Sequence, residues 1–158
     1  KRADFRIVGP AYMDGGMVDG GGCHPRDNIA LSWYSRQLGM GYNWFDTLMT
    51  IREQQVEFLA GLVPHNDTPL VLVGREFKAG TNVTAGSPAL LLAEVLREKG
   101  FKPQFDDEGP ALRGPATYVL CVRDKGRMPK PARGSTIIDP WGIVADVEGC
   151  QVVRVGRP

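Results

Sequence analysis

The sequence predicts an α/β protein in which a helical central segment with a long connector helix is followed by a small parallel-sheet domain. Three observations support this class. Apolar residues recur with helical spacing over residues 45–63. Residues 70–73 form a short, wholly apolar run that is typical of a buried parallel strand. From there, helix-like and strand-like segments alternate. We therefore divide the chain into residues 1–66 and residues 67–158.

The chain begins with a glycine-rich segment that holds six glycines between Gly9 and Gly22. Its lack of apolar periodicity predicts an irregular loop shaped for close backbone approach, ending at Cys23. A helix is expected from Pro25 to Leu38, with proline near its first turn and a glycine just beyond its end. This start places Asp27 in the first turn.

The second helix is long and is expected to run from Phe45 to about Val63, where Pro64 closes it. Its apolar residues occupy more than one face, which is typical of a helix that packs against two domains or two subunits. We interpret it as a connector helix.

The α/β half starts with a buried strand at residues 70–74 and a loop at residues 75–86. Ser87 is a predicted N-cap with Pro88 at the first helical position, and the helix ends before Gly100. Further strands are predicted at residues 102–105, 117–122, 135–138 and 151–155, whereas residues 124–134 are too broken for a regular helix. A small doubly wound sheet binds ligands at the carboxyl ends of its strands, which points to the 75–86 loop. A crossover without a ligand stays equally open.

The composition excludes several classes of protein. The 158 residues include 19 Lys and Arg against 18 Asp and Glu, so there is no charge field that favours nucleic acid or a membrane surface. No apolar run approaches the roughly 20 residues that span a bilayer. The three cysteines cannot all pair and match no zinc spacing, so we expect free thiols, no metal and a soluble, cytoplasmic chain with a small ligand.

Cys23 is the main candidate for chemistry. A cysteine that follows three glycines and precedes a helix lies where backbone amides and the helix dipole stabilise a thiolate, and the same amides can bind an oxyanion. Asp27, four residues on, could act as a base toward water. The alternative is a buried small hydrophobe at Cys23 with Asp27 as a dipole partner. The glycine context favours the activated thiol.

The remaining candidates are weaker. His24 is expected to be an exposed imidazole, and Cys121 and Cys150 have no activating neighbours in sequence, so both are interpreted as structural. The glycine run lacks the order of a dinucleotide fingerprint. Phe77 could stack on a base or sugar and Lys78 could meet a phosphate, although an ordinary half-buried aromatic beside an exposed lysine is as consistent with the sequence.

Two separated motifs resemble the UDP-glucose/GDP-mannose dehydrogenase family in order and spacing. Residues 20–27, Gly-Gly-Gly-Cys-His-Pro-Arg-Asp, are similar to the family pattern Gly-Gly-Ser-Cys-x-Pro-Lys-Asp. Residues 74–78, Gly-Arg-Glu-Phe-Lys, with Thr81 and the Ser87-Pro88 pair, are similar to the opening of the family's Rossmann-like C-terminal nucleotide-sugar domain. The long helix between them resembles the family's interdomain helix.

The resemblance implies oxidation of a sugar C6 alcohol to a carboxylate, with two NAD⁺ and one water, in the C-terminal half of a nucleotide-sugar dehydrogenase. By that likeness Cys23 forms the thiohemiacetal and thioester, and Asp27 assists hydrolysis. The same likeness assigns substrate contacts to Arg6, Tyr12, Gly20, Phe77 and Lys78, and a cofactor contact to Arg26. It also implies a nucleotide-diphosphate sugar as ligand and a homodimer formed through the central helix.

The departures from the family pattern leave alternatives open. Residues 78–88 lack two acids and an arginine that the family usually carries there, which leaves the nucleotide open. The sequence shows no N-terminal dinucleotide-binding domain, so NAD is expected to bind mainly to a domain that this chain lacks. The chain is then either half of a dehydrogenase or a non-catalytic nucleotide-sugar-binding or dimerisation module. An unrelated thiol enzyme acting through Cys23 is the third hypothesis.

Overall fold

A computed structural model describes residues 15–109 and 112–155. The helices are α1 (Cys23–Gln37), α2 (Trp44–Gly61) and α3 (Pro88–Glu98), with a short 3₁₀ turn at Lys125–Arg127. The strands are β1 (Leu70–Val73), β2 (Pro103–Phe105), β3 (Thr117–Leu120), β4 (Thr136–Asp139) and β5 (Gln151–Arg154). Arg6 and Tyr12 lie outside the described residues. No helix in the described ranges is long and apolar enough to cross a membrane.

The five strands form one sheet in the order β2-β1-β3-β4-β5, and every neighbouring pair is parallel. The α/β class, the parallel sheet and all five predicted strands are therefore confirmed. This strand order reverses direction between β1 and β3, and such a reversal opens a crevice at the carboxyl ends of the two strands. The loop that follows β1 lies at that edge, where the sequence places a ligand.

Helices cover one face of the sheet. Leu72, Val119 and Ile138 point from the strands into a core formed with α3 and with the end of α2, where Leu92 and Leu59 are fully buried. Apolar side chains that alternate with these, including Val71 and Tyr118, point to the opposite face. In the described part of the chain, loop residues rather than helices cover that second face. The strand order is therefore that of the expected doubly wound sheet, but helices pack on only one of its faces.

The predicted helix boundaries are largely confirmed. The Ser87 hydroxyl accepts a hydrogen bond from the Ala89 amide at 3.2 Å, with proline at the first helical position, as a proline-led N-cap requires. The start of α1 is a correction, because the helix begins at Cys23 rather than at Pro25. Asp27 is the fifth helical residue, so the prediction that it lies in the first turn is wrong. Proline is tolerated at any position of a first turn, so Pro25 marks the first turn of the helix but not its first residue.

Helices α1 and α2 form a hairpin that carries much exposed apolar surface. Ser32 and Ser35 are buried where the two helices meet, and the Asn43 side chain donates to the Ser32 hydroxyl oxygen at 2.8 Å. Ten large apolar side chains of the hairpin are exposed: Ile29, Leu31, Trp33, Tyr34, Leu38, Met40, Tyr42, Trp44, Ile51 and Phe58. Only the final turns of α2, at Val56, Leu59 and Ala60, are buried against the sheet domain.

Candidate functional site

Cys23 is the first residue of α1 and is exposed to solvent. The N-cap residue Gly22 has no side chain to accept hydrogen bonds from the first-turn amides, and no cap bond forms. The first-turn amides therefore have no side-chain cap, and Cys23 lies at the positive end of the helix dipole. The expectation of a cysteine at a helix start, preceded by an irregular glycine loop, is confirmed for residues 15–23. Residues 1–14 of that segment lie outside the described part of the chain.

Arg26 and Asp27 form an ion pair beside the thiol. Arg26 Nε lies 2.9 Å from Asp27 Oδ1, and both side chains are more than half exposed. The pKa of Arg26 is raised, chiefly by its hydrogen bond to Asp27, then by the charge of Asp27 and by the neighbouring Cys23. An exposed pair of this kind contributes little to stability. Its local effect is to place a permanent cation and a carboxylate near Cys23.

The His24 imidazole is paired with Asp19 rather than with the Cys23 thiol. Its Nδ1 lies 3.5 Å from Asp19 Oδ2, and the imidazole is about two-thirds exposed. The exposed imidazole expected from the sequence is what the structure shows.

The glycine loop is anchored to α2. Met17 and Val18 are buried in the core, and the largely buried Arg52 donates from Nε to the Asp19 carbonyl oxygen at 3.4 Å. Gln55 donates to the Gly16 carbonyl oxygen at 3.4 Å. No local pattern marks these anchors, because Arg52 falls within the apolar stripe of the helix.

The glycine loop packs directly on the loop that joins β1 to α3. The Gly21 amide donates to the Gly86 carbonyl oxygen at 3.1 Å. A Cβ at Gly86, whose φ is +69°, would lie 2.3 Å from the Gly21 carbonyl oxygen. A Cβ at Gly21 would lie 3.3 Å from the Phe77 ring, and one at Gly20 would lie 2.9 Å from Pro88 Cδ. The two motifs singled out in the sequence therefore form one continuous surface.

Phe77 and Lys78 lie on this surface, in a loop that is ordered by its own hydrogen bonds. The Phe77 amide donates to the Val83 carbonyl oxygen at 3.0 Å, and the Lys78 carbonyl oxygen accepts from the Thr81 hydroxyl at 2.8 Å. Phe77 is 36% exposed and its ring lies against Gly21. Within residues 15–109 and 112–155, the Lys78 ammonium forms no ion pair. An exposed aromatic face and an unpaired cation are thus available next to the loop that carries Cys23.

An ion network ties this surface to the sheet. The Arg127 guanidinium donates to the carboxylates of Asp106 and Glu76. Its Nε lies 2.6 Å from Asp106 Oδ2, and its Nη1 is hydrogen-bonded to Glu76. The carboxylates in turn accept from the backbone, Asp106 from the Gly74 amide at 3.0 Å and Glu76 from the Arg75 amide at 3.1 Å. The network joins the ends of β1 and β2 to the loop after β3, and its hydrogen bond to Asp106 raises the pKa of Arg127. This network was not predicted, because its members lie 21 and 51 residues apart in the chain.

The network contains two carboxylates and one guanidinium, so it predicts unequal effects of two substitutions. Glu76→Gln leaves a balanced Arg127–Asp106 pair, and we expect the free energy of unfolding to change by less than about 1 kcal/mol. Arg127→Met leaves two largely buried carboxylates without a cation, and we expect a loss of about 3 kcal/mol. Urea unfolding of both variants measures the difference. Equal losses would contradict this account of the charges.

The other two cysteines are not placed for chemistry. Cys121 is buried, and burial together with the nearby Asp106 and Glu76 raises the pKa of its thiol. Cys150 is half-buried, with its sulfur 3.3 Å from the Ala132 carbonyl oxygen. The interpretation of Cys121 and Cys150 as structural agrees with these positions.

The described residues do not fit a dinucleotide cofactor. A dinucleotide fingerprint needs a tight glycine turn between strand and helix that brings backbone amides to the pyrophosphate. The connection from β1 to α3 is a long loop, and the buried Glu76 carboxylate lies at its start. No group of three His, Cys, Asp or Glu side chains in the described ranges could hold a metal ion.

No family model matches the chain. Among curated proteins, GDP-mannose 6-dehydrogenase of Pseudomonas aeruginosa is 37% identical over 97 residues, which are 61% of this chain and 22% of that protein. The enzyme of the same name from Azotobacter vinelandii gives 37% identity over 97 residues, with the same coverage. The chain is related to the nucleotide-sugar dehydrogenases. The predicted resemblance to this family is thereby confirmed over about 60% of the chain. The matched residues correspond to about a fifth of the length of these relatives.

Two solved dehydrogenase structures share the fold of this chain. GDP-mannose dehydrogenase from Pseudomonas aeruginosa, solved as a ternary complex, superposes with a TM-score of 0.68 at 23% identity, covering 96% of this chain and 43% of that chain. UDP-D-ManNAc dehydrogenase from Pyrococcus horikoshii superposes with a TM-score of 0.70 at 22% identity, covering 91% and 40%. The helical hairpin and the parallel sheet thus match part of a dehydrogenase.

Proposed function

We propose that the chain is the substrate-binding and thiol-bearing C-terminal half of an NAD-dependent nucleotide-sugar 6-dehydrogenase. The observation that carries the proposal is the packing of the Cys23 loop on the loop of Phe77 and Gly86, because it joins a thiol at a helix N-terminus to a candidate nucleotide-sugar surface. Curated relatives named GDP-mannose 6-dehydrogenase support the reaction class.

The proposed reaction has two oxidations. The C6 alcohol loses a hydride and a proton to give an aldehyde, and the Cys23 thiolate then adds to the aldehyde carbon to form a thiohemiacetal. Loss of a second hydride and proton from this adduct gives a thioester. Water attacks the thioester carbonyl carbon and the carbon–sulfur bond breaks. The sugar carboxylate is released and the Cys23 thiol is regenerated.

The residues of the chain take distinct roles in this proposal. The first-turn amides of α1 stabilise the oxyanion that forms when sulfur or water attacks the carbonyl carbon. Asp27 accepts a proton from the attacking water, and the Arg26 cation that holds it carries the proposed cofactor contact. Phe77 stacks on the base or sugar, Lys78 meets the diphosphate, and the Gly20 amide contacts the substrate. The proposed roles of Arg6 and Tyr12 in substrate binding fall outside the described residues.

NAD⁺ supplies the hydride acceptor for both oxidations when it is bound in the complete enzyme. Because the described residues do not form its site, turnover needs a dinucleotide-binding domain in addition to them. The test is to supply such a domain from a related dehydrogenase, or to use the complete polypeptide that contains this chain, and to follow NADH formation over UDP- and GDP-sugars. NADH produced in a ratio of two to one sugar acid would support the proposal. Absence of NADH with every nucleotide sugar would count against it.

A second candidate function is a non-catalytic nucleotide-sugar-binding module. The altered 78–88 loop and the poor fit to a dinucleotide favour it. Calorimetric titration of the chain with UDP and GDP distinguishes the two hypotheses when it is combined with the NADH assay. Binding without turnover indicates a module, and absence of binding to either nucleotide counts against it.

We also propose that the exposed apolar side chains of α1 and α2 are covered by a second copy of the chain. Ile51 and Phe58 lie two turns apart on one side of α2 and are 50% and 55% exposed. Exposed apolar clusters of this kind mark interaction surfaces. The central helix would then be the dimer interface as well as the connector.

This interface predicts that Phe58→Glu weakens self-association. A charge in an apolar interface loses its hydration, so we expect the dimer dissociation constant to rise at least about 10-fold, as measured by sedimentation equilibrium. Gln151→Glu, at an exposed position of β5 outside the helical hairpin, adds the same charge without removing an apolar side chain and serves as the control. A chain that is monomeric at every concentration would contradict the interface.

A further inference from the structure

A cavity of about 410 Å³ opens on the second face of the sheet, the face that α3 does not cover. Its floor is one row of residues across three strands, since Val71 of β1 is in register with both Gln104 of β2 and Tyr118 of β3. Leu112, Pro129 and Lys130 contribute to its walls. A volume of this size lies in the range that takes small organic molecules.

The cavity lies where a doubly wound sheet normally carries a helix. In such folds a helix follows the second strand and packs over its neighbours. Here the connection between β2 and β3 holds no helix in its described residues, 106–109 and 112–116. The sheet row at Gln104, Val71 and Tyr118 is therefore left with open space above it.

Tyr118 provides the main sign of a ligand. Its side chain is buried, with the residue only 3% exposed, yet its hydroxyl forms no hydrogen bond to any described residue. No side-chain nitrogen or oxygen of the described residues is both inaccessible and unpaired, so this hydroxyl opens into the cavity, where water or a ligand is its partner. Burial raises the pKa of Tyr118, so the hydroxyl is a proton donor at neutral pH. It lines the cavity and can donate to a molecule there.

Two further polar groups in the cavity also lack protein partners. Neither the Gln104 amide nor the Lys130 ammonium is hydrogen-bonded or ion-paired within the described ranges. The other charged groups of the lining are already engaged. Asp106 binds Arg127, and Glu108 accepts from the Arg75 guanidinium at 2.7 Å and from the Phe105 amide at 3.0 Å.

We propose that this cavity is a binding site for a small monocarboxylate with an apolar body. The groups without partners are a hydroxyl donor, an amide donor and one ammonium, which together match one carboxylate. The engaged carboxylates of Asp106 and Glu108 in the wall disfavour a dianion such as a phosphate monoester. Val71, Leu112 and Pro129 offer apolar contact to the rest of the ligand.

The test titrates the whole chain with 3-phenylpropionate and follows the backbone amide resonances by NMR. We expect saturable binding at about 1 mM or tighter, with shifts at residues 71, 104, 118 and 130. Tyr118→Phe removes only the hydroxyl, and Lys130→Gln removes only the charge, so each is expected to weaken binding about 5- to 10-fold. The controls are Tyr34→Phe and Lys102→Gln, two exposed positions outside the cavity, which should bind like the unaltered chain.

Two comparison ligands define the chemical class. The neutral 3-phenylpropionamide should bind more weakly than the acid, and 2-phenylethyl phosphate should bind no better than the acid. The proposal is overturned if the acid shows no saturable shifts, if the amide binds as tightly, if the phosphate binds more tightly, or if the two cavity variants match their controls. None of these measurements depends on dehydrogenase activity, so failure here and failure of the proposed function are separate results.

Discussion

Replacing Cys23 by serine is expected to lower kcat at least about 10³-fold in the complete dehydrogenase, measured as NADH formation. A serine hydroxyl at this position stays protonated and adds poorly to an aldehyde, and the ester that it would form lacks the reactivity of a thioester. The helix N-terminus and the Arg26 cation lie beside residue 23, but neither can ionise an alcohol at neutral pH. The substrate surface is unchanged, so KM should move far less than kcat.

Cys150→Ser is the matched control for this substitution. Cys150 is half-buried and remote from α1 in sequence, and its sulfur is hydrogen-bonded to the Ala132 carbonyl oxygen. Serine preserves that contact, so activity should be retained. Full turnover in Cys23→Ser, or an equal loss in both variants, would contradict the thiol mechanism.

Gly86→Ala is expected to disrupt the contact between the two loops and to lower the free energy of unfolding by about 2–4 kcal/mol. The new Cβ would lie 2.3 Å from the Gly21 carbonyl oxygen, and the φ of +69° disfavours any side chain. Backbone rather than a flexible side chain stands in the way, so one of the two loops has to move. The Gly21–Gly86 hydrogen bond is then expected to break.

Gly80→Ala separates backbone strain from the loop contact. Its φ is +75°, close to that of Gly86, but a Cβ there meets nothing within 4 Å. We expect it to cost about 1 kcal/mol in urea unfolding, and amide exchange at Gly21 should remain slow. In Gly86→Ala that amide should exchange at least about 10-fold faster. Equal behaviour of the two variants would mean that the loops are not coupled through Gly86.

Local signals predicted most of the fold. The apolar run at residues 70–73 forms a buried strand, because a central strand that is hydrogen-bonded to neighbours on both edges tolerates few polar side chains. The Ser87-Pro88 pair marked the start of α3 through a hydrogen bond that spans only two residues. Such features depend on contacts within a few positions of the chain.

The contacts that assemble the candidate site are of another kind. The Arg127 network joins groups 21 and 51 residues apart, and the Gln55 anchor reaches back 39 residues to Gly16. No local pattern marks such pairs, because only the three-dimensional arrangement brings them together. The glycine motif showed that close approach would occur near Cys23. It did not show that Phe77 and Gly86 would be the partners.

The most direct test of the account measures the rate at which iodoacetamide alkylates Cys23, by mass spectrometry, in the presence of GDP-mannose or UDP-glucose. If the Cys23 loop and the Phe77 loop form one nucleotide-sugar site, at least one of these ligands should slow alkylation saturably. The protection should disappear in Gly86→Ala and persist in Gly80→Ala. Alkylation at the same rate with and without every nucleotide sugar would contradict the central claim that Cys23 lies in their binding site.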